Sequence, residues 1–182
     1  MNTYQTIFEA QNGSHLFAKF ELREQLAKQY AWAVPNDEAI KAIVGCGPVV
    51  EIGAGKGYWA HLVAEAGGDV VAYDLNQHAS NHYTDEGATY HPVKSGSHHM
   101  VKHHADRVLM LIWPCYDEAW AAETLNMYGG DTLIYVGEGS GGCTGDDYFH
   151  EILREKWEEV EWVRIPQWGG IHDYLGIYKR KT

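Results

Sequence analysis

Two carboxylates bracket a glycine-rich turn in VVEIGAGKGYWAHLVAEAGGDVVAYDLN, residues 49–76. Glu51 precedes the turn, Gly53, Gly55 and Gly57 form it, and Asp74 closes the apolar run that follows. Glycine lets the backbone turn sharply and approach a ligand with no Cβ in the way. An apolar run, a glycine turn, an amphipathic segment, a second apolar run and an acid together make a nucleotide-binding βαβ pattern. The dinucleotide fingerprint G-x-G-x-x-G would place its last glycine at position 58, where this chain has Tyr58. A carboxylate at Asp74 can accept both hydroxyl hydrogens of a ribose, which serves either kind of nucleotide cofactor. Glu51 is the discriminating group. An acid there suits a ligand with an ammonium group and a sulfonium charge, and sits awkwardly beside a pyrophosphate. The turn therefore points to S-adenosylmethionine rather than NAD.

More residues with usable chemistry follow. WPCY, 113–116, ends an apolar run; Trp113 can wall a pocket, a surface that a methyl-bearing sulfonium favours, and Tyr116 can stack on a flat acceptor. Glu138 opens the glycine-rich stretch GEGSGGCTGDD, 137–147, where it can contact an acceptor or act as a base. His172 and Asp173 lie in the last turn, beside Trp168. Asp146 and Asp147 read as helix-cap residues. His99 and His103 are spaced i, i+4, but only Asp106 lies near them as an acid, so the segment reads as solvated and no metal site is expected.

The elements that must carry these groups are legible from periodicity. The first 45 residues read as helical. Ser14 caps a helix over residues 15–30 with Leu16, Phe17, Phe20 and Leu26 on one face, Pro35 stops it, and Asn36 caps a short helix that ends at Gly45. Strands are expected at 48–53, 69–74, 88–93, 106–113 and 131–138, with helices at 57–67, 118–130 and 146–157. Two final runs, 158–168 and 173–181, are separated only by GGIH, which is too short for a parallel crossover and predicts an antiparallel hairpin. The result is an α/β, Rossmann-like open sheet of seven strands, mostly parallel with a terminal antiparallel hairpin and preceded by N-terminal helices. One domain is expected over 1–182, with a helical cap at 1–45 and the core at 46–182. A ligand in such a sheet sits beyond the carboxyl ends of the central strands.

EIGAGKG with the acid of AYD resembles the motif pair of class I S-adenosylmethionine-dependent methyltransferases, and the strand order with its final hairpin resembles that family over residues 48–181. Within it, the chain is similar to a group marked by YAWAVP (30–35), WPCY (113–116), VGEGSGGCTGDD (136–147) and IPQWGGIHD (165–173). Amino-methylating members carry D/N/S-P-P-Y/F where this chain has WPCY. Trp113 replaces the polar residue and Cys115 the second proline, which argues against adenine or glutamine N-methylation. The resemblance implies the cofactor and leaves the acceptor open. The expected cofactor-binding set is Trp32, Glu51, Gly53, Ala54, Gly55, Gly57, Tyr58, Asp74, Leu75, Ser95 and Trp113. Trp32 and Tyr30 come from an N-terminal segment expected to fold over the cofactor. The expected catalytic set is Trp113, Tyr116, Glu138 and His172.

Composition narrows the partners. A net charge of −11, with 14 Lys and Arg, disfavours tight unaided binding to duplex nucleic acid. No apolar run approaches the ~18 residues of a membrane span. The first residues lack the pattern of a signal peptide, and three widely spaced cysteines suggest no disulfide framework, so a cytoplasmic location is expected. The expected partner is a small-molecule or nucleotide-like acceptor, and an oligomer is left open. Two other readings are a non-catalytic cofactor-binding subunit and a lyase or hydrolase acting on the cofactor itself.

Overall fold

The computed structural model describes residues 1–11, 16–75 and 87–182, with residues 16–19 described by backbone alone. Ser14 and the side chains of Leu16 and Phe17 lie outside the described residues.

Three N-terminal helices, α1 (Thr3–Glu9), α2 (Leu16–Gln29) and α3 (Asp37–Gly45), precede the sheet. Then follow β1 (Val49–Ile52), α4 (Tyr58–Glu65), β2 (Val70–Asp74), β3 (Val93–Ser95), a 3₁₀ helix (His98–His103), β4 (Val108–Ile112), α5 (Trp120–Met127), β5 (Thr132–Gly137), α6 (Asp147–Lys156), β6 (Trp157–Arg164) and β7 (Tyr174–Arg180). The sheet order is β3-β2-β1-β4-β5-β7-β6, with β7 antiparallel to both of its neighbours. The expected seven-stranded, mostly parallel sheet with a reversed final strand is present.

Strands β1, β4 and β5 are buried along their whole length because helices cover both faces of the sheet. Side chains alternate between two apolar layers. Val49, Met110, Ile112, Ile134 and Val136 join the layer under the N-terminal helices and α4. Val50, Leu109, Leu111, Leu133 and Tyr135 join the layer under α5 and α6. From β1 the chain moves outward to β2 and β3; it then returns to place β4 on the other side of β1. That reversal opens a crevice at the carboxyl ends of β1 and β4.

Three expectations are corrected. The third strand begins at Val93 rather than spanning 88–93, because Pro92 has no N–H for a ladder and Tyr90 N–H instead donates to Lys56 O (2.8 Å). The final hairpin has a longer connector, 165–173: Ile165 and Trp168 leave the sheet and become buried, with Trp168 Nε1 donating to the Tyr4 hydroxyl (3.2 Å). On α2, Leu26 is buried but Phe20 is exposed, since six helical steps separate them by about 240° around the axis.

No helix among the described residues is long and apolar enough to cross a membrane. The helix ends follow their cap residues. Asp146 Oδ1 accepts from Phe149 N–H (2.8 Å), and Asn36 Oδ1 accepts from Ala39 N–H (2.9 Å). Asn36 Nδ2 also donates to Arg164 O (2.9 Å), so one side chain starts α3 and ties it to the end of β6. Asn36→Ala removes both bonds and should lower unfolding stability by about 1–2 kcal/mol. A urea titration checks this, and an unchanged midpoint would contradict it.

Candidate functional site

The crevice holds a cavity of about 520 Å³. Its floor is the turn between β1 and α4. Gly53, Gly55 and Gly57 all take positive φ, at 74°, 53° and 70°. At two of them a side chain is also excluded by space. A Cβ on Gly53 would lie 2.7 Å from the Trp120 ring, and one on Gly57 2.8 Å from Val93 Cγ2. The turn is latched to β2: Gly53 and Ala54 N–H donate to Tyr73 O, and Gly55 N–H donates to Asp74 Oδ2 (2.8 Å). Asp74 thus lines the cavity from the end of β2 with one oxygen on the turn.

Glu51 lies at the cavity floor and is 2% exposed. Burial, and next the charge of Asp74, push its carboxyl up to about 8, while the N–H of Ala60 in α4 pulls the other way. Its Oε2 has no hydrogen-bond partner. A buried carboxyl without a full set of partners is costly, and here it faces a space large enough for a ligand.

The walls are aromatic. Tyr30, Trp32, Tyr58, Trp59, Trp113 and Trp120 all line the cavity. Trp32 stacks on Trp113 with ring centres 6.0 Å apart. Trp113 holds φ at 51°, the only non-glycine positive φ among the described residues. The N-terminal segment is pinned across this wall. The Tyr58 hydroxyl accepts from Tyr4 N–H (3.3 Å) and donates to Asn2 Oδ1 (3.2 Å), and Tyr30 stacks between Tyr4 and Tyr90.

Of the residues expected to hold a cofactor, Trp32, Glu51, Gly53, Ala54, Gly55, Tyr58, Asp74, Leu75 and Trp113 line this cavity. Gly57 shapes the turn from behind. Ser95 does not line the cavity; Gly96, Ser97 and His98 do. Ser97 and His98 went unread in the sequence because the polar run at 97–104 has no periodicity to place it. The run forms a 3₁₀ helix, whose three residues per turn carry His99 and His103 off a common face.

Glu138 and His172 line a second, open cleft instead, together with the glycine loop 139–142 and Cys143. Glu138 is 7% exposed. Its Oε2 accepts from Cys143 N–H and its Oε1 from His172 N–H, both at 2.8 Å, and the His172 ring lies 3.4 Å from Oε1. Burial alone would raise this carboxyl, but the bonds from Cys143 and His172 outweigh it and hold it below the usual range. Thr144 completes the junction. Its Oγ1 takes Glu138 N–H (2.8 Å) and meets the Tyr135 hydroxyl (2.7 Å). Gly145 N–H donates to Pro114 O (2.9 Å), and Cys115 bridges Thr144. The loops after β4 and β5 and the loop before β7 therefore form one connected rim. Tyr116 stands on it, 52% exposed, and lines neither cavity.

Neither a family model nor a curated protein sequence matches the chain. Solved structures do match in fold. The 1,6-didemethyltoxoflavin-N1-methyltransferase of Burkholderia thailandensis, bound to 1,6-didemethyltoxoflavin and S-adenosylhomocysteine, aligns over 100% of this chain and 92% of its own at 15% identity and a TM-score of 0.55. The magnesium protoporphyrin IX methyltransferase of Synechocystis, with bound S-adenosylmethionine, aligns over 100% and 99% at 10% identity and 0.51. A candidate tRNA (m1A22) methyltransferase of Streptococcus pneumoniae aligns over 79% and 68% at 10% identity and 0.52. The chain has the Rossmann-like fold of S-adenosylmethionine-dependent methyltransferases.

Two outcomes follow from this geometry. The Glu51 carboxyl titrates near 8 when folded and near 4.3 when unfolded, so its contribution to stability is fully present below about pH 4 and is lost as pH rises through about 8. Without added ligand, the stability of wild type relative to Glu51→Gln should fall across that window, by on the order of 2–5 kcal/mol. Denaturation of both proteins at pH 4, 6 and 8 checks this; a constant difference would contradict it. Glu138→Gln turns an NH₂ group toward one of two backbone donors and should cost about 1–3 kcal/mol of stability. It should also speed hydrogen exchange at Cys143 or His172; protection equal to wild type would show that the carboxylate does not hold the loops.

Proposed function

We propose that this chain is an S-adenosylmethionine-dependent methyltransferase acting on a small-molecule or nucleotide-like acceptor. The observation that carries the reading is the cavity floor. A glycine turn, a carboxylate at the end of β2 and a buried, under-bonded carboxyl on β1 converge at the crevice where the strand order reverses.

The residues fit the cofactor chemically. Asp74 offers a carboxylate to the ribose hydroxyls. The unpartnered Oε2 of Glu51 suits an ammonium group. The glycine backbone at 53–57 gives close approach, with Tyr58 and Leu75 beside it, and Trp32 and Trp113 supply the aromatic wall that a sulfonium favours. The cofactor supplies a methyl group on a good leaving group, so the protein's part is to place the acceptor in line with it and exclude water. The N-terminal segment covers the cavity in this scheme, and the Trp32–Trp113 stack shapes the acceptor's approach. Tyr116 on the rim suits a stacking contact with an entering acceptor. Glu138 and His172 serve as positioning residues. A carboxylate with both oxygens engaged and held below its usual range is a weak base.

The net charge of −11 favours a small acceptor over duplex nucleic acid. A cytoplasmic, single-domain enzyme is consistent with this reading.

Calorimetric titration with S-adenosylmethionine and with NAD tests it. S-adenosylmethionine should bind. Asp74→Ala should weaken that binding by about 1.5–3 kcal/mol, as expected for lost hydrogen bonds to a charged group. Binding to NAD alone would sink the proposal. Binding without turnover against any cell extract would favour a non-catalytic subunit, and decay of the cofactor without an acceptor would favour a lyase or hydrolase.

A further inference from the structure

Strand β6 ends the sheet, and no strand among the described residues pairs with its outer side. Residues 158–162 and Arg164 of this strand are all exposed. Two of them are large and apolar: Val160 is 54% exposed and Trp162 53%. Folded proteins blunt a bare edge with charge and with bulges, and β6 does so in one half only. Glu158, Glu159 and Glu161 lie toward its start, and Arg164 closes it. A register shift between Glu159 and Glu161 interrupts the acidic half, whereas Glu161 to Arg164 pair regularly with Ile177 to Tyr174. The regular half carries the tryptophan. Gly176 lies opposite Trp162 and covers none of its indole. Trp162 instead stacks on Tyr174 of β7, with ring centres 6.1 Å apart, and so presents a fixed flat surface beside an open edge.

We propose that β6 pairs antiparallel with β6 of a second copy of the chain, about a two-fold axis at Trp162, so that one sheet runs through a weak homodimer. Charge and side-chain alternation select that axis. Directly opposite residues in such a pair point to the same face, so the axis must pass through a residue rather than between two. An axis at Glu161 would set that carboxylate against its own copy, and like charges directly opposite are destabilising. An axis at Val163 would leave little to pair, because Ile165 leaves the sheet and is buried. An axis at Trp162 sets indole against indole, Val163 against the partner's Glu161, and Arg164 against the partner's Val160. The two acidic halves then run to opposite ends. Arg164 and Glu159 share a face, since they lie opposite Tyr174 and Tyr178, whose hydroxyls meet at 3.0 Å. Each Arg164 therefore comes beside the partner's Glu159, an opposite-charge pair made twice by the symmetry. A small overlap between chains of net charge −11 makes the dimer weak, with a dissociation constant of about 10–100 µM. Strands β4, β5 and β7 separate β6 from β1, so the pairing lies away from the crevice and stands whether or not S-adenosylmethionine binds there.

Sedimentation velocity of the full chain tests this, from about 1 to 300 µM, a range that brackets the dissociation constant. Monomer should give way to dimer with no larger species. Trp162→Glu should weaken the dimer about thirtyfold or more, the loss of a central aromatic anchor. Arg164→Glu should weaken it several-fold, because both cross-strand charge pairs change sign. Lys94→Glu makes the same charge change on β3, at the other edge of the sheet, and should leave the dimer as it is. Thermal unfolding followed by circular dichroism reports folding in each variant, and Arg164→Glu decides the matter if Trp162→Glu does not fold. The proposal is overturned if the wild type stays monomeric to the top of the range, or if Trp162→Glu or Arg164→Glu dimerises as the wild type does. Species beyond the dimer, or loss of association in Lys94→Glu, would show head-to-tail pairing of β3 with β6 and overturn it as well. A monomer that binds a peptide of alternating lysine and valine, and loses it in Trp162→Glu, would assign the edge to a basic strand in place of a second copy.

Discussion

Glu51 is buried at the floor of the crevice with one oxygen unsatisfied, and the local architecture is arranged around it. It sits on the central strand β1, next to the strand-order reversal, where a Val or Ile would pack with less cost. The turn above it cannot relax onto the acid. Gly53 and Gly57 hold positive φ against Trp120 and Val93, and the turn is latched to β2 through Tyr73 and Asp74. The carboxyl is thus kept under-bonded by its surroundings. A cationic ligand group entering the cavity would find an acid already desolvated, and binding energy gained there would offset a penalty borne in folding.

The acceptor side is built on a different principle. Three loops from distant parts of the chain are joined there by short polar bonds. Glu138 clasps Cys143 and His172, and Thr144 links Glu138, Tyr135 and the stretch after β4. Because a carboxylate bonded on both oxygens is well suited to hold loops and poorly suited to take a proton, the rim's acid reads as architecture.

Much of the fold was legible because the central strands are continuous apolar runs punctuated by glycine, and Asn36 and Asp146 announce their helices by capping. The cofactor side was legible for the same local reason: Glu51, the three glycines and Asp74 fall within one βαβ unit. Strand ends were not. Pro92 delays β3, and Trp168 leaves the sheet for a hydrogen bond to Tyr4, 164 residues away. The acceptor side was the least legible. His172 was visible as a His beside an acid, but the structure turns the emphasis to its neighbour Asp173, whose significance lies in burial. Arg23 looks like any charge on a polar helix until the fold sets it over two indoles. Such roles depend on long-range packing, which periodicity does not encode.

A crystal structure of the chain with S-adenosylhomocysteine bound would show directly whether Glu51 and Asp74 hold the cofactor. The ligand should lie in the crevice between β1 and β4, its ribose on Asp74, its amino group at Glu51 and its sulfur facing the Trp113 side. A ligand seated in the cleft at Glu138 and His172, or one in the crevice with Glu51 still unpartnered, would contradict it.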